Sequence, residues 1–277
     1  ELDTCPSTNT WALEQIQQLP HGAVVFTRRQ TQGRGQQGRL WYAPPGVLTA
    51  SVVLKGLASL AGLSLAAGLA VIYAVEDLLP DCGDRLKLKW PNDVLVDRRK
   101  LAGILCEAAS AQQVVVGIGL NRAIEFEVSE FEISEFGTSE FEISELGTRA
   151  TELDAVSVLA GRAISLHQLS RSVPDEIALL RQLRHYLLQV ADLFSAGDRA
   201  SLRSQRPVGL EVLLPALRQR DALLHQPIKL ALPQATLNGI AAGIDGRGQL
   251  LLQTESLTAT ESSLRAFSSG RVIWAEA

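Results

Sequence analysis

Gln30 to Trp41 reads Gln-Thr-Gln-Gly-Arg-Gly-Gln-Gln-Gly-Arg-Leu-Trp, with three glycines and two arginines between an apolar run and an aromatic residue. Gly33, Gly35 and Gly38 let the backbone take positive φ and come close to a ligand, and Arg34 and Arg39 add planar, permanently charged forks suited to phosphate or carboxylate. The segment reads as a mobile loop that grasps an anion; the plainer alternative is a solvated hairpin tip. The same glycines spell Gly-x-Gly-x-x-Gly. A dinucleotide-binding turn needs an apolar helix directly after that motif, and Arg39-Leu40-Trp41-Tyr42-Ala43-Pro44-Pro45 follows instead. That context excludes dinucleotide binding.

The elements that must position this loop are short and alternating. Ala23 to Thr27 predicts a buried strand entering it, and Val47 to Leu54 a strand leaving it. Ser7-Thr8-Asn9-Thr10 precedes helical apolar spacing from Trp11 to Ile16, so a hydroxyl or Asn9 is expected to cap a helix there. Leu86 to Trp90 alternates like a strand, Pro91-Asn92-Asp93 breaks it, Val94 to Val96 resumes it, and Leu101 to Glu107 follows a charged turn. Two hairpins would carry Lys89, Asn92, Asp93 and Lys100 to one end of an antiparallel sheet. Plainer readings are a solvated turn lysine for Lys100 and a backbone-capping turn residue for Asp93. Val114 to Asn121 closes the run, with Gly117 and Gly119 small enough to admit a flat ligand against the backbone.

The chain has 277 residues, 46% of them hydrophobic, enough for a full core. Cys5, Cys82 and Cys106 form no CxxC and the four histidines no ligand pattern, so neither a disulfide frame nor a metal site built from protein ligands is expected. A reducing, cytoplasmic setting fits, and no secretion signal is visible. Ten acids and two arginines give Ala123 to Ala163 a net −8 against −4 for the whole chain, which leaves about +4 elsewhere. That balance suits an anionic small molecule or an acidic protein partner and is too weak to argue for nucleic acid. Gly56 to Val75 is uncharged, but its serines and glycines lower its hydropathy, so a small-residue helix on a sheet is expected and not a membrane span. Ser129 to Thr138 and Ser139 to Thr148 repeat one decapeptide with a single change, a local duplication expected as a disordered acidic tether in preference to β-hairpins. Ser172 to Phe194 has helical spacing. Short strands at Pro227 to Leu232, Leu237 to Ile244, Leu250 to Thr254, Ser256 to Ser263 and Gly270 to Trp274 predict a small all-β barrel.

With Gly33-Arg34-Gly35…Gly38-Arg39-Leu40-Trp41, Lys89-Trp90-Pro91-Asn92-Asp93, Arg99-Lys100-Leu101-Ala102-Gly103-Ile104-Leu105 and Gly117-Ile118-Gly119-Leu120-Asn121 in this order, the chain closely resembles biotin–protein ligases. Pro227-Ile228-Lys229-Leu230, Gly239-Ile240 and Gly243-Ile244-Asp245 look like that family's C-terminal SH3-like domain. The resemblance implies an α+β fold: a class II synthetase-like catalytic domain over residues 1–215, carrying an acidic insertion at 123–163, and an SH3-like β-barrel over 222–277. It implies the monofunctional form without a DNA-binding domain. It also implies two steps, in which the biotin carboxylate attacks the α-phosphate of ATP and an acceptor lysine then attacks biotinyl-5′-adenylate.

Residue by residue, the resemblance places Ser7, Thr8, Asn9, Gln30, Gly33, Arg34, Trp41, Lys100, Gly103, Gly117 and Gly119 around biotin. Arg34, Gln36, Arg39, Lys89, Asn92 and Asn121 face ATP. Mg²⁺ would ride on phosphate oxygens and water. Lys100 and Arg34 are the expected catalytic cations. An acceptor lysine is only ~1 part in 10³ neutral at pH 7, so Asp93 is the candidate to take its proton. The implied partner is a biotin carboxyl carrier protein or domain of a carboxylase, with the ligase a monomer or homodimer. The chain departs from the family at Gln36, usually arginine, at the final strand, where Trp274-Ala275 lacks a terminal arginine, and in the long acidic insertion. A lipoate–protein ligase and a non-catalytic biotin or adenylate sensor are the competing readings.

Overall fold

Strands of period-two alternation put one face of a sheet in the core and leave the other for a site. In β2 (Val47–Lys55), Leu48, Ala50, Val52 and Leu54 face the main core, while Val47, Thr49 and Ser51 point the other way. The structure, a computed structural model, describes residues 1–124, 140–143, 148–151, 162–195, 209–254 and 263–275. With β1 (Val24–Thr27), β3 (Leu86–Lys89), β4 (Asp93–Val96), β5 (Arg99–Ser110) and β6 (Gln113–Asn121), β2 forms one sheet in the order β1-β2-β6-β5-β4-β3. Every neighbouring pair in it is antiparallel.

Two helices cover the core face. The helix α2 (Leu63–Leu78) starts after Gly62, whose φ of 74° ends the preceding loop. It therefore begins seven residues later than its uncharged sequence suggests, because Gly56 and Gly62 both take left-handed backbone. Its alanines and Gly68 let it lie close on β3: a Cβ on Gly68 would sit 2.4 Å from Leu88 Cδ2. A short helix, α3 (Leu166–Leu169), precedes α4 (Glu176–Phe194). In α4, Leu179, Leu180, Leu183, Leu187 and Val190 form a helical stripe in the core, and the Asp175 carboxylate accepts from Ala178 N at 2.7 Å to cap its start. Each such fully buried leucine contributes roughly 2 kcal/mol. The opposite face is partly covered by α1 (Thr8–Glu14), where Ala12 and Ile16 meet Val25, Val53 and Val115. Among the described residues no helix is long and apolar enough to cross a membrane.

The second sheet is β12-β11-β10-β9-β13, built from β9 (Pro227–Leu232), β10 (Ala235–Ile244), β11 (Leu250–Thr254), β12 (Ser263–Phe267) and β13 (Arg271–Trp274). All its pairs are antiparallel, so the fold is α+β with antiparallel sheets and a small all-β unit at the C-terminal end. The expected strand Ser256 to Ser263 falls mostly outside the described residues; the strand present is β12, where Leu264 and Phe267 flank Arg265 and Ala266. The expected domain end at residue 215 lies inside the helix α5 (Leu210–Arg220). One apolar core runs through both sheets, from Leu54 and Leu88 to Leu230 and Leu252. At their junction Trp90, 1% exposed, donates its indole N–H to Gly248 O at 3.0 Å, and a Cβ on Gly248 would lie 2.6 Å from Gly62 Cα.

The second decapeptide copy contributes β7 (Glu140–Ile143), which pairs antiparallel with β8 (Thr148–Thr151). Over these residues the expected tether gives way to an antiparallel ladder; the first copy lies outside the described residues.

The end of α5 is held by charge. Arg220 Nη2 lies 2.8 Å from Glu76 Oε1 on α2, and its Nη1 donates to Gly83 O at 3.2 Å. Burial raises the Glu76 pKa and the Arg220 guanidinium opposes that rise. A carboxyl whose folded pKa is raised adds most to stability in acid and loses that contribution as pH climbs through the folded value. Arg220→Ala strands the carboxylate, so a loss of about 3 kcal/mol is expected at pH 8. Thermal melting should show a smaller loss at pH 5, where Glu76 can take up a proton; a pH-independent loss would contradict this account.

Candidate functional site

The free face of the first sheet is the floor of a cleft of ≈ 530 Å³ that also takes in β13 of the second sheet. Register sets which side chains reach it. Gly119 pairs with Thr49 on β2 and with Gly103 on β5, while Gly117 pairs with Ser51 and Leu105. Residues 100 and 103 would ordinarily face opposite ways. An irregularity in the β4–β5 ladder between Val94 and Leu95 leaves Leu101 unpaired, so that Leu95 pairs with Lys100 while Asp93 pairs with Gly103. The extra residue turns Lys100, Gly103 and Asp93 toward the same cleft.

The glycine loop hangs over this floor as a small hairpin. Gly35 N donates to Arg39 O at 2.7 Å and Trp41 N to Gly33 O at 2.9 Å, with Gln37 and Gly38 at positive φ forming the tip. It is thus a hairpin tip in shape and a lid in position. The flat group on the glycine floor is the chain's own Trp41: a Cβ on Gly119 would lie 2.2 Å from its indole, and one on Gly103 3.1 Å away. The expected ligand surface at Gly117 is likewise taken by Asn9, whose Oδ1 a Cβ there would meet at 2.4 Å. Trp41 Nε1 is buried with no hydrogen-bond partner among the described residues, a donor left for something in the cleft. Gly33 does not line the cleft; a Cβ on it would strike Trp41 O at 2.2 Å, so it shapes the loop from behind.

A polar network fastens the loop to the floor. Ser7 caps α1, accepting from Thr10 N, and Thr8 N donates to Gln30 Oε1 at 2.9 Å. Ser51 Oγ lies 2.6 Å from Asn9 Oδ1 and 2.8 Å from Thr8 Oγ1. Asn9 Nδ2 donates to Leu105 O at 3.1 Å and to Glu107 Oε2 at 2.8 Å, and the same carboxylate oxygen pairs with Arg34 Nη2 at 2.8 Å. Thr8, Asn9, Gln30 and Arg34, which the resemblance grouped, lie together in this network.

Asp93 Oδ1 lies 2.6 Å from Lys100 Nζ, off the hydrogen-bond axis, and the ammonium is 5.3 Å from the Trp41 ring centroid. Lys100 is therefore no free turn lysine. Two of the expected nucleotide ligands spend their amide donors on the backbone: Asn92 Nδ2 on Ile104 O at 2.7 Å, and Asn121 Nδ2 on Lys100 O and Ile164 O at 3.0 and 3.2 Å. Both line the cleft, with their amide oxygens as the polar atoms left. Gln36, Arg39 and Lys89 also line it, Arg39 Nε donating to Gln36 O at 3.2 Å. Asp93 is the single carboxylate among the described lining residues. Burial pushes the Cys106 thiol up to about 12 and raises Cys5 as well, so neither offers a thiolate at neutral pH.

Four participants were not picked out from the sequence: Ser51, Glu107, Arg98 and Trp274. Thr49 and Ser51 alternate with apolar neighbours in Leu48 to Leu54, a signal for a polar face that period-two reading could have used. Glu107 closes the expected strand Leu101 to Glu107 and lies inside β5, where nothing local marks its partners. Arg98 and Trp274 both line the cleft, the guanidinium carbon 4.6 Å from the indole ring centroid, and their separation by more than a hundred residues in sequence hid the contact.

Residues 2–121 match the Biotin/lipoate A/B protein ligase family, and residues 223–273 match the Biotin protein ligase C terminal domain. The chain is 30% identical over 264 residues to the bifunctional ligase/repressor BirA of Salmonella typhimurium, covering 92% of this chain and 69% of that protein. It is 42% identical over 124 residues to the biotin–[acetyl-CoA-carboxylase] ligase of Paracoccus denitrificans, which is 42% of this chain and 51% of that one. The biotin protein ligase of Aquifex aeolicus, solved in complex with biotin and ATP, shares the fold with a TM-score of 0.72 at 22% identity, over 99% of this chain and 97% of that chain. From the long match to the Salmonella ligase and the two family matches at its ends, the chain belongs to the biotin protein ligase family.

Proposed function

We infer that this cleft carries both steps of ATP-dependent biotin–protein ligation. The observation that bears most weight is the convergence of Lys100, Arg34 and Trp41 over a floor of facing glycines. In the first step a biotin carboxylate oxygen bonds to the α-phosphorus of ATP and the bond to the β-phosphate oxygen breaks, releasing pyrophosphate. Two anions must meet for this, and Lys100 and Arg34 offset their repulsion and the charge that grows in the transition state. Asp93 aims the Lys100 ammonium through its ion pair, and Glu107 aims Arg34. Thr8 and Gln30 give the biotin head group neutral partners, Asn9, its amide hydrogens spent on Leu105 O and Glu107, shapes the pocket between them, and the unpaired Trp41 N–H supplies a donor beside the acyl-adenylate.

In the second step the neutral amine of an acceptor lysine attacks the acyl carbon and AMP leaves. Asp93, the lone lining acid, takes the proton. None of the three cysteines lines the cleft, so the amine attacks directly and without an acyl-thioester relay. The acceptor is the biotin carrier of a carboxylase, a reading supported by the Paracoccus relative's being named for acetyl-CoA-carboxylase. Mg²⁺ fits this donor set only as an ion carried by phosphate oxygens and water, since a single lining carboxylate already paired with Lys100 cannot anchor it alone; it would neutralise phosphate charge. The lipoate reading is not favoured: the residues at 223–273 match a biotin ligase domain.

ATP–pyrophosphate exchange dependent on biotin, followed by transfer to a biotin carboxyl carrier domain, tests the assignment, with lipoate and octanoate run beside biotin. Lys100→Ala should lose exchange and transfer by at least ~10²-fold. Exchange with lipoate but not biotin, or full activity in the variant, would overturn it. Gln36 leaves the loop one cation short of the usual pattern, so Gln36→Arg should release biotinyl-adenylate more slowly than the parent in a filter or quench assay; equal or faster release would show that position 36 does not govern retention.

A further inference from the structure

Arg98 stands in the turn between β4 and β5, two residues before Lys100, with φ of 64° after Asp97 at 50°. Its guanidinium carbon lies 4.6 Å from the ring centroid of Trp274, the last residue of β13, and its Nη2 donates to Gln226 Oε1 at 3.1 Å. Lys89 Nζ is 6.0 Å from the same ring, and Arg98, Lys89 and Trp274 all line the cleft. The two catalytic cations are each matched by a carboxylate, Arg34 by Glu107 and Lys100 by Asp93. Arg98 is held by an indole face and a neutral amide, and among the described residues no carboxylate pairs with it. Stacking on an indole and one amide contact restrain a guanidinium without supplying a counter-charge, which leaves its other N–H groups and its charge for an anion.

We propose that Arg98, clamped by Trp274 and Gln226, binds the outer phosphates of ATP, the pair that leaves as pyrophosphate. The inference rests on the ligase reading of the cleft. Lys100, beside which the reacting α-phosphate is expected, is the second residue of β5, and Arg98 stands in the exposed turn two residues before it and lines the same cleft, next to that position and not on it. The cation comes from the first sheet and its platform from the second, so the C-terminal unit takes part in holding the nucleotide.

The full chain is assayed for biotin transfer at varied ATP, as the parent and as Arg98→Ala, Arg98→Lys and Trp274→Ala. In Arg98→Ala the KM for ATP should rise about tenfold, with a much smaller change in kcat and in the KM for biotin. Lysine should restore part of the loss, since charge without the planar fork suffices for some of it. Trp274→Ala should shift the KM for ATP in the same direction by less. Inhibition by pyrophosphate should weaken in Arg98→Ala by about the same factor, while inhibition by AMP stays as in the parent. An unchanged KM for ATP and unchanged pyrophosphate inhibition in Arg98→Ala would overturn the proposal, as would AMP inhibition weakened as much as that by pyrophosphate. An inactive parent would instead sink the ligase reading itself, so the two failures are distinct.

Discussion

The side chains of a strand alternate strictly, so a chain that needs two groups three residues apart on one face has to break its ladder somewhere. Between β4 and β5 that break is the unpaired Leu101, whose own side chain stays in the core. It is what allows Lys100 to stand over the floor that Gly103 and Gly119 make, next to the carboxylate of Asp93. Without it, either the ammonium or the glycine would turn into the apolar layer under α2. The placing of Lys100 and Asp93 beside that floor follows from the single extra residue.

Charge in the cleft is arranged in pairs of unequal kind. Carboxylates orient Arg34 and Lys100 and leave them partly compensated, a state in which a substrate anion competes with a counter-ion already present. Glu107 couples two tasks, because one of its oxygens receives both the loop arginine and the Asn9 amide that fixes the helix α1 against Ser51. The posture of the lid and the shape of the head-group pocket are therefore mechanically linked through one carboxylate.

Much of the architecture could be read from residues alone, since alternation is a local signal: β1 to β6 and β9 to β11 lie within a few residues of their expected bounds. What escaped was set by contacts between distant segments. The late start of α2 depended on left-handed glycines, and the helix α5, which was not expected, packs Leu210 and Leu217 into a core shared by both sheets. In the candidate site, residue types at motif spacing were legible, but their partners were not. That Trp41 would lie on Gly119, and that Asn92 and Asn121 would spend their donors on backbone carbonyls, depends on register and packing that no single segment encodes.

The buried indole of Trp90 donates to the carbonyl of Gly248, a residue set back to back with Gly62 at the head of α2. Trp90 also leads directly into Pro91-Asn92-Asp93, the turn that carries the lining acid. Detaching the small β unit would leave an indole N–H unpaired in an apolar wall immediately beside the reacting groups, and would expose the shared apolar layer at the same time. The two sheets share one apolar core, so the appended strands brace the wall of the reaction centre with the same contacts that complete that core.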